Sequence, residues 1–593
     1  MRYSDEELAD AAIDNTHDWN VPDKIQDVKP WVRKDKKKKT EDAEEEEDSG
    51  GVKSYTLRRV SAHTLDTLAV CCGNAVAKPL LRLLPSFLEA QGESQEQWMR
   101  RDIGVLALGA VSDGCYDDLE EHLPKLIPYL VKLTGDNIPA VRAVSAWCLS
   151  RFAEFVCAFD DEPYGLRTVL PVVLNCAVDG VKHVQWYSLS AVVELVKSMG
   201  EKVELFSEEI TNCFMKAGQI YQMKSRMLLY DAIAELAESY PALLLHHKFR
   251  ANVLQPLIQR FLDLPLDQDV ELLPLMEVVG SIAMNTKEKF IDFAKPVFDK
   301  AKYILETGVT QIAARKEDND DLELDLLNTS IDLIAGIAEG IESSFEALLN
   351  ESGGSSLLQL LLYCCSEGPD TRQSVYALFG DFAQYAFSFI NTETTLQVII
   401  EKLLQHLDSD DFYEINNAVW ATGEIISRSD PSFAHKYGPT VIERLLHWFQ
   451  DLRTANPLLL ENLGMIIGRI ALVAPEVVGH FLPSIVVPWC QTLSLITDEQ
   501  EKYASFQGLV KLMEKYPQPF LQHVHAVLFT IACWYSTTYG SGAHSGLHSS
   551  FQTLINQFRS QCGNQWSQIA SQLQPEVKEV LSAAFPGAFS PSS

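Results

Sequence analysis

The side chains best suited to chemistry in this sequence are amides, carboxylates and tryptophans on one face of predicted helices. In the stretch FYEINNAVWATGEI, a turn of about 100° per residue puts Ile415 and Val419 on one side. Asn417, Trp420 and Glu424 fall on the other. An amphipathic helix turns its polar face to water, so a tryptophan there indicates a surface that another molecule covers. These groups predict ligand binding rather than catalysis.

Acidic side chains share such a face on two further predicted helices. In LLYDAIAELAES, the spacing i, i+4 and i+7 puts Asp231, Glu235 and Glu238 on one exposed strip. In TSIDLIAGIAEG, Asp332 and Glu339 lie opposite the apolar residues. Like charges four residues apart cost a few tenths of a kcal/mol, so helix stability alone does not favour this pattern. The strips therefore predict a basic ligand.

A third polar strip, in RQSVYALFGDF, contains small residues as well as polar ones. Gln373 and Asp381 share it with Ala377 and Gly380, and small side chains let a ligand backbone approach. Each of these residues, taken singly, is more often a solvated or close-packing residue, but the composition recurs on successive helices. Exposed tryptophans rank high among interface anchors. Together the strips predict a channel for an extended basic peptide.

The sequence contains no recognisable motif for catalysis or for a metal. The phosphate-binding motif GxxxxGKS or GxxxxGKT and the zinc motif HExxH are absent. GSGAHSG at 540–546 lacks the GxSxG spacing of a nucleophile elbow. The pair His246 and His247, and the HVH at 523–525, have no companion ligands at metal spacing. No carboxylate pair stands out as general acid and base, so we predict that the protein is not an enzyme and needs no cofactor.

The chain is strongly acidic. Its 593 residues include 81 acidic and 49 basic ones, for a net charge of −32. Nucleic-acid binding leaves a basic footprint, so this balance argues against direct contact with nucleic acid. A partner rich in lysine and arginine fits better, because the summed field attracts and steers it.

The cysteines and the N-terminal residues indicate a soluble protein of a reducing compartment. The 12 cysteines include no CxxC motif and lie mostly in apolar helical runs, which predicts buried thiols rather than disulfides or zinc ligands. MRYSDEELAD lacks the apolar segment of a signal peptide. No apolar run approaches the ~20 residues of a membrane span. We expect an intracellular protein that does not bind membranes.

A recurring phrase predicts the helices that position these faces. Hydrophobic residues make up 47% of the chain, but a single core stops growing near ~250–300 residues, so a repeat array or several domains are expected. Phrases such as VLALGAVSDG, LIAGIAEG and IIGRIAL recur about every 40 residues, with a second helical stretch between copies. They centre on Gly109, Ala234, Gly280, Gly336, Gly380, Gly423 and Gly468, with AWCLSRFAEF and AVVELVKS in the long gap between the first two, so that neighbouring copies lie roughly 38–56 residues apart. The pattern predicts an all-α, right-handed superhelical solenoid of HEAT repeats, with these phrases on its inner helices.

Residues 33–50, RKDKKKKTEDAEEEEDSG, interrupt the helical periodicity. A basic run followed by an acidic one, almost without apolar residues, buries too little surface to order itself. A disordered loop is therefore expected at 33–52. The KDKKKK within it fits two interpretations: a solvated charge run, which is the commoner case, or a nuclear-localisation patch.

Several stretches, in order along the chain, resemble the transportin (karyopherin beta-2) family. They are LPKLIPYLVKL, VRAVSAWCLSR, LLYDAIAELAES, TRQSVYALFGD, NNAVWATGEI, LLEN and VVPWCQTL. Transportins are nuclear import receptors built of HEAT repeats, and the resemblance runs from about residue 1 to 585. It covers the C-terminal two-thirds of a transportin, because MRYSDEEL resembles the middle of the eighth repeat. On this resemblance the N-terminal arch that binds the GTPase Ran is missing, and the acidic loop of the family matches residues 33–50.

The resemblance implies a groove on the inner helices that binds a disordered import signal. Such signals begin with basic or hydrophobic residues and end in Arg, Lys or His, a short spacer and Pro-Tyr. For the Pro-Tyr end, the implied contacts are Asp66, Leu106, Val144, Trp147 and Arg151. For the middle, they are Asp231 and Glu277, with Glu235 as a further carboxylate. For the N-terminal part, they are Asp332, Gln373, Asp381, Asn417, Trp420 and Asn462.

Some positions depart from the family pattern. His63 stands where transportins have a small residue beside the tyrosine pocket. Glu194 and Lys197 replace a threonine and a glutamate near the arginine of the signal. Lys197 would repel that arginine, so Asp231 and Glu235 are expected to carry more of its charge. The remaining departures are Asn328 and Leu458.

Sequence and resemblance together divide the chain. Residues 1–32 are expected to form a partial first repeat and residues 33–52 the disordered charged loop. Residues 53–585 are expected to form the HEAT-repeat arch that binds cargo, and residues 586–593 a frayed tail.

We therefore expect a nuclear import receptor that shuttles between cytoplasm and nucleus. Its partners would be cargo proteins with basic Pro-Tyr signals, RNA-binding proteins among them, and nuclear pore proteins. Ran-GTP is expected to bind weakly or not at all, because the N-terminal arch is missing. The alternative is a HEAT-repeat scaffold that assembles other proteins. A scaffold would show broad apolar patches at its ends, whereas exposed tryptophans on the inner face favour peptide capture.

Overall fold

The computed structural model describes residues 18–21, 23, 56–90, 92–314, 321–450, 452–538 and 545–589. Every regular element in these ranges is a helix. The partial first repeat predicted at 1–32 lies outside them except for 18–21 and 23. The charged loop predicted at 33–52 lies wholly outside.

The longer helices are numbered here in chain order. They are α1 (Leu57–Cys72), α2 (Asn74–Leu88), α3 (Gln95–Ala110), α4 (Leu123–Leu133), α5 (Pro139–Ser150), α6 (Leu166–Ala177), α7 (Lys182–Met199), α8 (Ser207–Ile220), α9 (Met223–Ser239), α10 (Gln255–Asp263), α11 (Asp269–Thr286), α12 (Ile291–Ala314), α13 (Asp321–Ile341), α14 (Gly354–Cys364), α15 (Pro369–Tyr385), α16 (Glu393–Leu404), α17 (Phe412–Arg428), α18 (Pro431–Gln450), α19 (Pro457–Val473), α20 (Leu482–Leu493), α21 (Glu499–Lys515), α22 (Val524–Thr538), α23 (His548–Cys562) and α24 (Pro575–Ala584). Short helical turns lie between them at Tyr116–Leu119, Glu120–His122, Ala153–Ala158, Gly200–Phe206, Pro241–Leu245, His247–Phe249, Arg250–Leu254, Lys287–Phe290, Glu342–Ser344, Phe345–Glu351, Phe387–Ile390, Leu452–Thr454, Pro475–Gly479, Pro517–Gln522, Ser545–Leu547, Gly563–Gln565, Trp566–Gln572 and Pro586–Phe589. None of the described helices is both long and apolar enough to cross a membrane.

The helices alternate between two layers. The odd-numbered helices carry the recurring phrases, and neighbours pack side by side from α1 to α11 and from α13 to α23. Even-numbered helices cover this layer from one side, since each of α2 to α10 and α14 to α20 packs against the odd-numbered helix that follows it. This arrangement confirms the all-α prediction and the assignment of the phrases to one layer of a two-helix repeat.

The chain divides into two compact units, residues 1–300 and 301–593. The boundary falls between Lys300 and Ala301, inside α12. Each unit is a stack of helical hairpins with an odd-numbered and an even-numbered layer. The sequence predicted one continuous arch over 53–585 and gave no sign of this division.

Glycines of the recurring phrase let neighbouring odd-numbered helices approach closely. A Cβ added at Gly468 on α19 would lie 2.6 Å from Cα of Ser505 on α21. A Cβ at Gly508 on α21 would in turn come within 3.0 Å of Gly468 Cα. The two helices therefore touch backbone to backbone, and a side chain at either glycine would separate them. At this crossing the small residues serve close packing.

The described cysteines are free thiols, and most of them are buried. Burial raises the pKa of Cys176, Cys213 and Cys490 to about 12. Thiols held protonated in this way are poor nucleophiles and poor metal ligands. Within the described ranges the prediction of mostly buried thiols is confirmed; the exceptions are Cys71 and Cys72 on α1, which are exposed, and Cys533 and Cys562, which are half-buried.

Residues 586–589 correct part of the predicted frayed tail. Pro586–Phe589 forms a short helix in which Phe589 is buried. The indole N–H of Trp566 donates a hydrogen bond of 2.9 Å to the carbonyl oxygen of Ala588. An apolar anchor therefore holds this end of the chain, whereas 590–593 lie outside the described residues.

Asp18, Val21 and Asp23 contact the N-terminal ends of α7 and α9. The Lys182 side chain is 7% exposed; its Nζ donates to the Val21 carbonyl oxygen at 2.7 Å and forms an ion pair with Asp23. Asp23 also accepts a 2.8 Å hydrogen bond from the backbone N–H of Lys224. Asp18 contacts the start of α7, where its carboxylate accepts a hydrogen bond from the backbone N–H of Lys182. Carboxylates are favoured at such helix starts, but nothing in the sequence predicted this contact.

We expect Lys287→Gly to raise the free energy of unfolding by about 0.5–1 kcal/mol. Lys287, after α11, has φ 53° and ψ −142°, a conformation that Gly200 shares after α7 with φ 53° and ψ −130°. Such a backbone costs other residues about 1–3 kcal/mol, and the greater freedom of glycine in the unfolded chain offsets part of the gain. Denaturant titration measures the change. Glu288→Gly, outside the left-handed region, is the control, and a stability gain no larger than that of the control would contradict the expectation.

Candidate peptide-binding surface

The residues predicted for the Pro-Tyr end lie on three neighbouring helices. Asp66 on α1, Leu106 on α3 and Trp147 on α5 are half-buried, and α3 packs against both other helices. Arg151 directly follows α5 and is exposed. Val144 is only 5% exposed, so it supports the helix packing and offers little surface to a ligand, which corrects the prediction for this residue.

Trp147 and Arg151 are each held by the preceding repeat. The ring of Trp147 lies against Gly109 on α3, where a side chain would collide with it. The guanidinium of Arg151 forms an ion pair with Asp113 and donates to Ser112 Oγ at 3.2 Å. Fixing both groups in advance lowers the entropy lost on binding. An aromatic face next to an oriented guanidinium suits a ligand with an aromatic ring and a hydrogen-bond acceptor.

The residues predicted for the middle of the signal form an acidic strip, defined here as Asp231 and Glu235 on α9 and Glu277 on α11. Asp231 and Glu277 are exposed, and α9 packs directly against α11. Protein surrounds much of the Asp231 carboxylate although its outer side meets solvent. This lost hydration, with the charges of Glu277 and Glu235, raises the pKa of Asp231 to about 7. Crowded carboxylates of this kind favour a cationic group of a ligand.

Lys197 changes the acidic strip in a way that the sequence did not predict. Its ammonium on α7 forms ion pairs with Glu235 and with Glu194, the latter at 3.4 Å. The pKa of Lys197 is raised because these carboxylates outweigh its partial loss of hydration. Glu235 is therefore already neutralised, and the predicted transfer of the arginine charge to Glu235 has no support in this arrangement.

The residues predicted for the N-terminal part of the signal lie on consecutive helices of the second unit. Asp332 on α13, Gln373 on α15 and Asn417 on α17 are half-buried. Asp381 on α15 is only 2% exposed. Burial and the nearby charges of Glu339 and Glu424 raise the pKa of Asp381 far above its ordinary range. Asp381 is therefore a buried acid and not a surface carboxylate for cargo, which corrects the prediction.

Amide side chains connect three helices of this unit in a row that we call the amide ladder. Asn462 on α19 donates from Nδ2 to Asn416 Oδ1 at 2.8 Å. Asn416 donates to Asn417 Oδ1 at 3.3 Å, and Asn417 donates to the carbonyl oxygen of Gln373 at 2.9 Å. Each amide keeps unused donor or acceptor capacity. Asn416 and Asn417 are half-buried and can add hydrogen bonds to an extended backbone, whereas Asn462 is only 9% exposed and mainly orients Asn416, which corrects the prediction for Asn462.

On α17, Trp420 and Glu424 are less exposed than the helical wheel predicted. Trp420 is half-buried, because its ring lies against Gly380 on α15. Glu424, which the wheel put on the same open face, is 1% exposed and forms ion pairs with Arg428 and with the buried Arg469 of α19. Trp420 thus has one free side. Arg469 within the apolar phrase IIGRIAL was the sequence signal that a buried carboxylate lies nearby.

The described residues contain no group of three or more histidine, cysteine, aspartate or glutamate side chains arranged for a metal ion. The first unit offers the half-buried Trp147 and the acidic strip, and the second offers the half-buried Trp420 and the amide ladder. Such groups are of the kinds that act on basic, extended segments through charge, stacking and main-chain hydrogen bonds.

Comparison with known proteins gives the relatives of the chain. A HEAT-like repeat family matches residues 98–152. The chain is 28% identical to "Transportin-1" of Oryza sativa subsp. japonica over 98% of its own length and 64% of that protein. With "Transportin-1" of Homo sapiens the identity is 28% over 99% of this chain and 65% of that protein. This chain is a homologue of the transportins. It spans under two thirds of the length of these relatives.

Other comparisons agree with the transportin relationship. The "Importin subunit beta-2" of Saccharomyces cerevisiae is 31% identical over 86% of this chain and 57% of that protein. The structure of yeast importin-beta (Kap95p) matches with a TM-score of 0.58 over 80% of this chain and 61% of that one, at 15% identity. Kap121p bound to the SUMO protease Ulp1p matches with a TM-score of 0.53 over 88% and 58%, at 13% identity. These structural likenesses show the fold, and they confirm the prediction of an all-α HEAT-repeat protein. The transportin and importin names denote nuclear transport receptors and not enzymes.

Proposed function

We propose that this chain is the cargo-binding part of a nuclear import receptor and binds extended basic segments that end in Pro-Tyr. The segment would lie across the odd-numbered layer. Within the first unit its Pro-Tyr end would contact Trp147 and Arg151, and its central basic residue would contact the acidic strip. Within the second unit its N-terminal part would contact Trp420 and the amide ladder. The homology to transportins supports this proposal.

The observation that carries the proposal is the crowding of Asp231 and Glu277. Lost hydration, together with the charges of Glu277 and Glu235, raises the pKa of Asp231 to about 7, so its ionised form is disfavoured in the free protein. A bound arginine or lysine would favour the ionised form of these carboxylates. Carboxylates crowded in this way are expected where a cation binds.

A direct binding titration tests the proposal. A fluorescent peptide with a basic run, an arginine, a two-residue spacer and Pro-Tyr should bind, and the same peptide with Ala-Ala in place of Pro-Tyr should bind at least about tenfold more weakly. Its affinity should fall with salt, because the acidic surface acts over a Debye length of about 8–10 Å. It should not vanish, since aromatic contacts are screened far less. Equal binding of the two peptides would refute a Pro-Tyr site.

Matched charge variants separate the acidic strip from the general acidity of the chain. Asp231→Asn and Glu277→Gln should each weaken binding of the basic peptide. Glu209→Gln, on the even-numbered helix α8, removes the same charge from an exposed position outside the strip and should have little effect. If all three variants weaken binding equally, attraction is a property of the net charge, and the strip is not the site.

Peptide affinity is expected to fall as the pH drops from 8 to 6. The pKa of Asp231 is raised to about 7, so this carboxylate gains a proton in that range and loses its attraction for a cation. A raised carboxyl pKa also means that ionisation costs stability as pH rises towards 7, so Asp231→Asn should be relatively more stable at pH 8 than at pH 5. A histidine-free peptide, titrated against wild type and Asp231→Asn, measures the effect. A slope that Asp231→Asn does not reduce would assign the pH dependence to another group.

The scaffold alternative makes a different prediction. A scaffold would hold folded partners through broad apolar patches and would not discriminate between Pro-Tyr and Ala-Ala peptides. Weak or absent binding of Ran-GTP, contact with nuclear pore proteins and shuttling between cytoplasm and nucleus belong to the same proposal. Titration of the chain with Ran-GTP tests the first of these, and sub-micromolar affinity would contradict it.

A further inference from the structure

Two tryptophans of the odd-numbered layer stand over glycines of the preceding odd-numbered helix. Trp147 on α5 lies over Gly109 on α3, and Trp420 on α17 lies over Gly380 on α15. A Cβ added at Gly109 would come within 2.8 Å of Trp147 Cη2, and one at Gly380 within 2.7 Å of Trp420 Cη2. Cζ3 would be closer still at both glycines, and Cε3 also at Gly380. Any side chain at either glycine would displace the ring.

The contact also fixes which side of the indole faces outward. The atoms nearest each glycine are Cζ3, Cε3 and Cη2, so the nitrogen Nε1 lies on the far side of the indole. Neither N–H donates a hydrogen bond within the described part of the chain, and neither nitrogen is enclosed by protein. The indole of Trp489 differs, because its N–H donates to the Gly464 carbonyl oxygen at 3.0 Å. Trp147 and Trp420 therefore each carry an available donor.

We propose that Gly109 and Gly380 are positioning residues, which hold Trp147 and Trp420 with the indole N–H turned outward to donate to a main-chain carbonyl of a bound extended peptide. The inference deepens the proposed function and takes its ligand from it. Such a glycine–tryptophan pair is found in each unit, with its two residues about one repeat period apart in sequence. A donor of this kind holds the main chain of a peptide without reading its side chains.

The surroundings of Trp420 select the kind of acceptor. Asp381 follows Gly380 in the chain and is a buried acid whose raised pKa keeps it protonated. Glu424 lies one helical turn after Trp420 and is paired with Arg428 and Arg469, so neither acid offers a free charge to a ligand. A peptide carbonyl is a strong, neutral acceptor, and an extended chain outside a sheet leaves it unpaired. With no free charge beside the ring, the indole N–H is suited to a neutral acceptor such as the backbone of an extended peptide.

Gly380→Ala is expected to weaken binding of the basic Pro-Tyr peptide about 5- to 30-fold, the range for one or two kcal/mol, although residue 380 touches no ligand. Trp420→Phe, which keeps a ring but removes the N–H, should weaken binding as well. In the Trp420→Phe background Gly380→Ala should cost much less, because the two changes remove the same contact. Gly368→Ala is the matched control, since it lies next to the start of α15 with open space around it, and it should bind like wild type.

The position of the Trp420 ring can be measured by fluorine NMR on the protein without peptide. Protein labelled with 7-fluorotryptophan carries fluorine on Cζ2, away from the glycine, and the Trp420 resonance is assigned by its loss in Trp420→Phe. It should move in Gly380→Ala and not in Gly368→Ala. Gly109→Ala, followed through the Trp147 resonance, gives the second variant if Gly380→Ala does not fold.

Three results would overturn the proposal. An unmoved Trp420 resonance in Gly380→Ala means that the glycine does not position the ring. A moved resonance with unchanged affinity means that the ring position does not matter for binding, and wild-type affinity in Trp420→Phe means that the N–H is not used. If wild type binds no Pro-Tyr peptide, the proposed function and the carbonyl contact both fail, while the resonance still decides whether the glycine positions the ring.

Discussion

Replacing Glu271 by alanine is expected to lower the free energy of unfolding by about 2–3 kcal/mol. Glu271 on α11 is 3% exposed, and it joins three helices. It accepts hydrogen bonds from Tyr230 Oη on α9 at 2.7 Å and from Arg226 Nη1 at 3.1 Å, and it forms an ion pair with Arg260 on α10. Removing the carboxylate leaves a buried hydroxyl and two partly exposed guanidinium groups without their shared partner, and an unsatisfied buried polar group costs about 1–3 kcal/mol, more where charged groups are involved.

The protonation of Glu271 follows from the same contacts. Burial alone would raise the pKa of Glu271, but the hydrogen bonds from Arg260 and Tyr230 and the charge of Arg226 lower it below the ordinary value. A lowered carboxyl pKa contributes stability above the ordinary value of about 4.3, and that contribution is lost as the pH falls through the folded-state pKa. Wild type should therefore lose stability in acid more steeply than Glu271→Gln.

Thermal and denaturant unfolding measure the effect of Glu271. Asp267→Ala is the control, because Asp267 is an exposed acid a few residues away and surface substitutions usually change stability by no more than about 0.5 kcal/mol. Glu271→Gln should fall between the control and Glu271→Ala, since the amide keeps one acceptor. A loss of less than about 1 kcal/mol for Glu271→Ala would show that the guanidinium groups find other partners.

Trp420→Ala is expected to cost roughly 1–3 kcal/mol of affinity for the basic Pro-Tyr peptide, in the range of interface anchors. The free side of the ring, the amide ladder one turn away and the glycine contact make Trp420 the aromatic centre of this part of the surface. Stability should fall as well, by about 2 kcal/mol, because the half-buried ring makes part of the contacts for which a buried tryptophan costs 3–5 kcal/mol.

Trp448→Ala separates the two effects of losing a tryptophan. Trp448 is also half-buried, but it lies on the even-numbered helix α18. Its replacement should lower the melting temperature without changing peptide affinity. Both variants are compared at a temperature where circular dichroism shows each to be folded. If Trp448→Ala loses as much affinity as Trp420→Ala, the loss reports general weakening of the stack and not a contact with the peptide.

The sequence by itself determined the repeat and the layer in which the surface lies. Helical periodicity with a recurring phrase about every 40 residues is a local property, because each hairpin buries its apolar face against the next one in the chain. The same locality put Trp147, Asp231 and Trp420 on odd-numbered helices. The short motifs of the transportin resemblance indicated the homology found over almost the whole chain.

Only the tertiary structure decided which of the polar residues stay open. A helical wheel assumes one buried face and one wet face, but an odd-numbered helix packs against two odd-numbered neighbours and an even-numbered one. Asp381 and Glu424 therefore lie in side contacts that a single helix cannot reveal, and Glu235 meets Lys197 across a gap between helices. The contact between Gly380 and the ring of Trp420 also lies between two odd-numbered helices, so a single helix does not reveal it. Burial and charge pairing at these positions depend on residues about one repeat away, and their distance is fixed only when the helices stack.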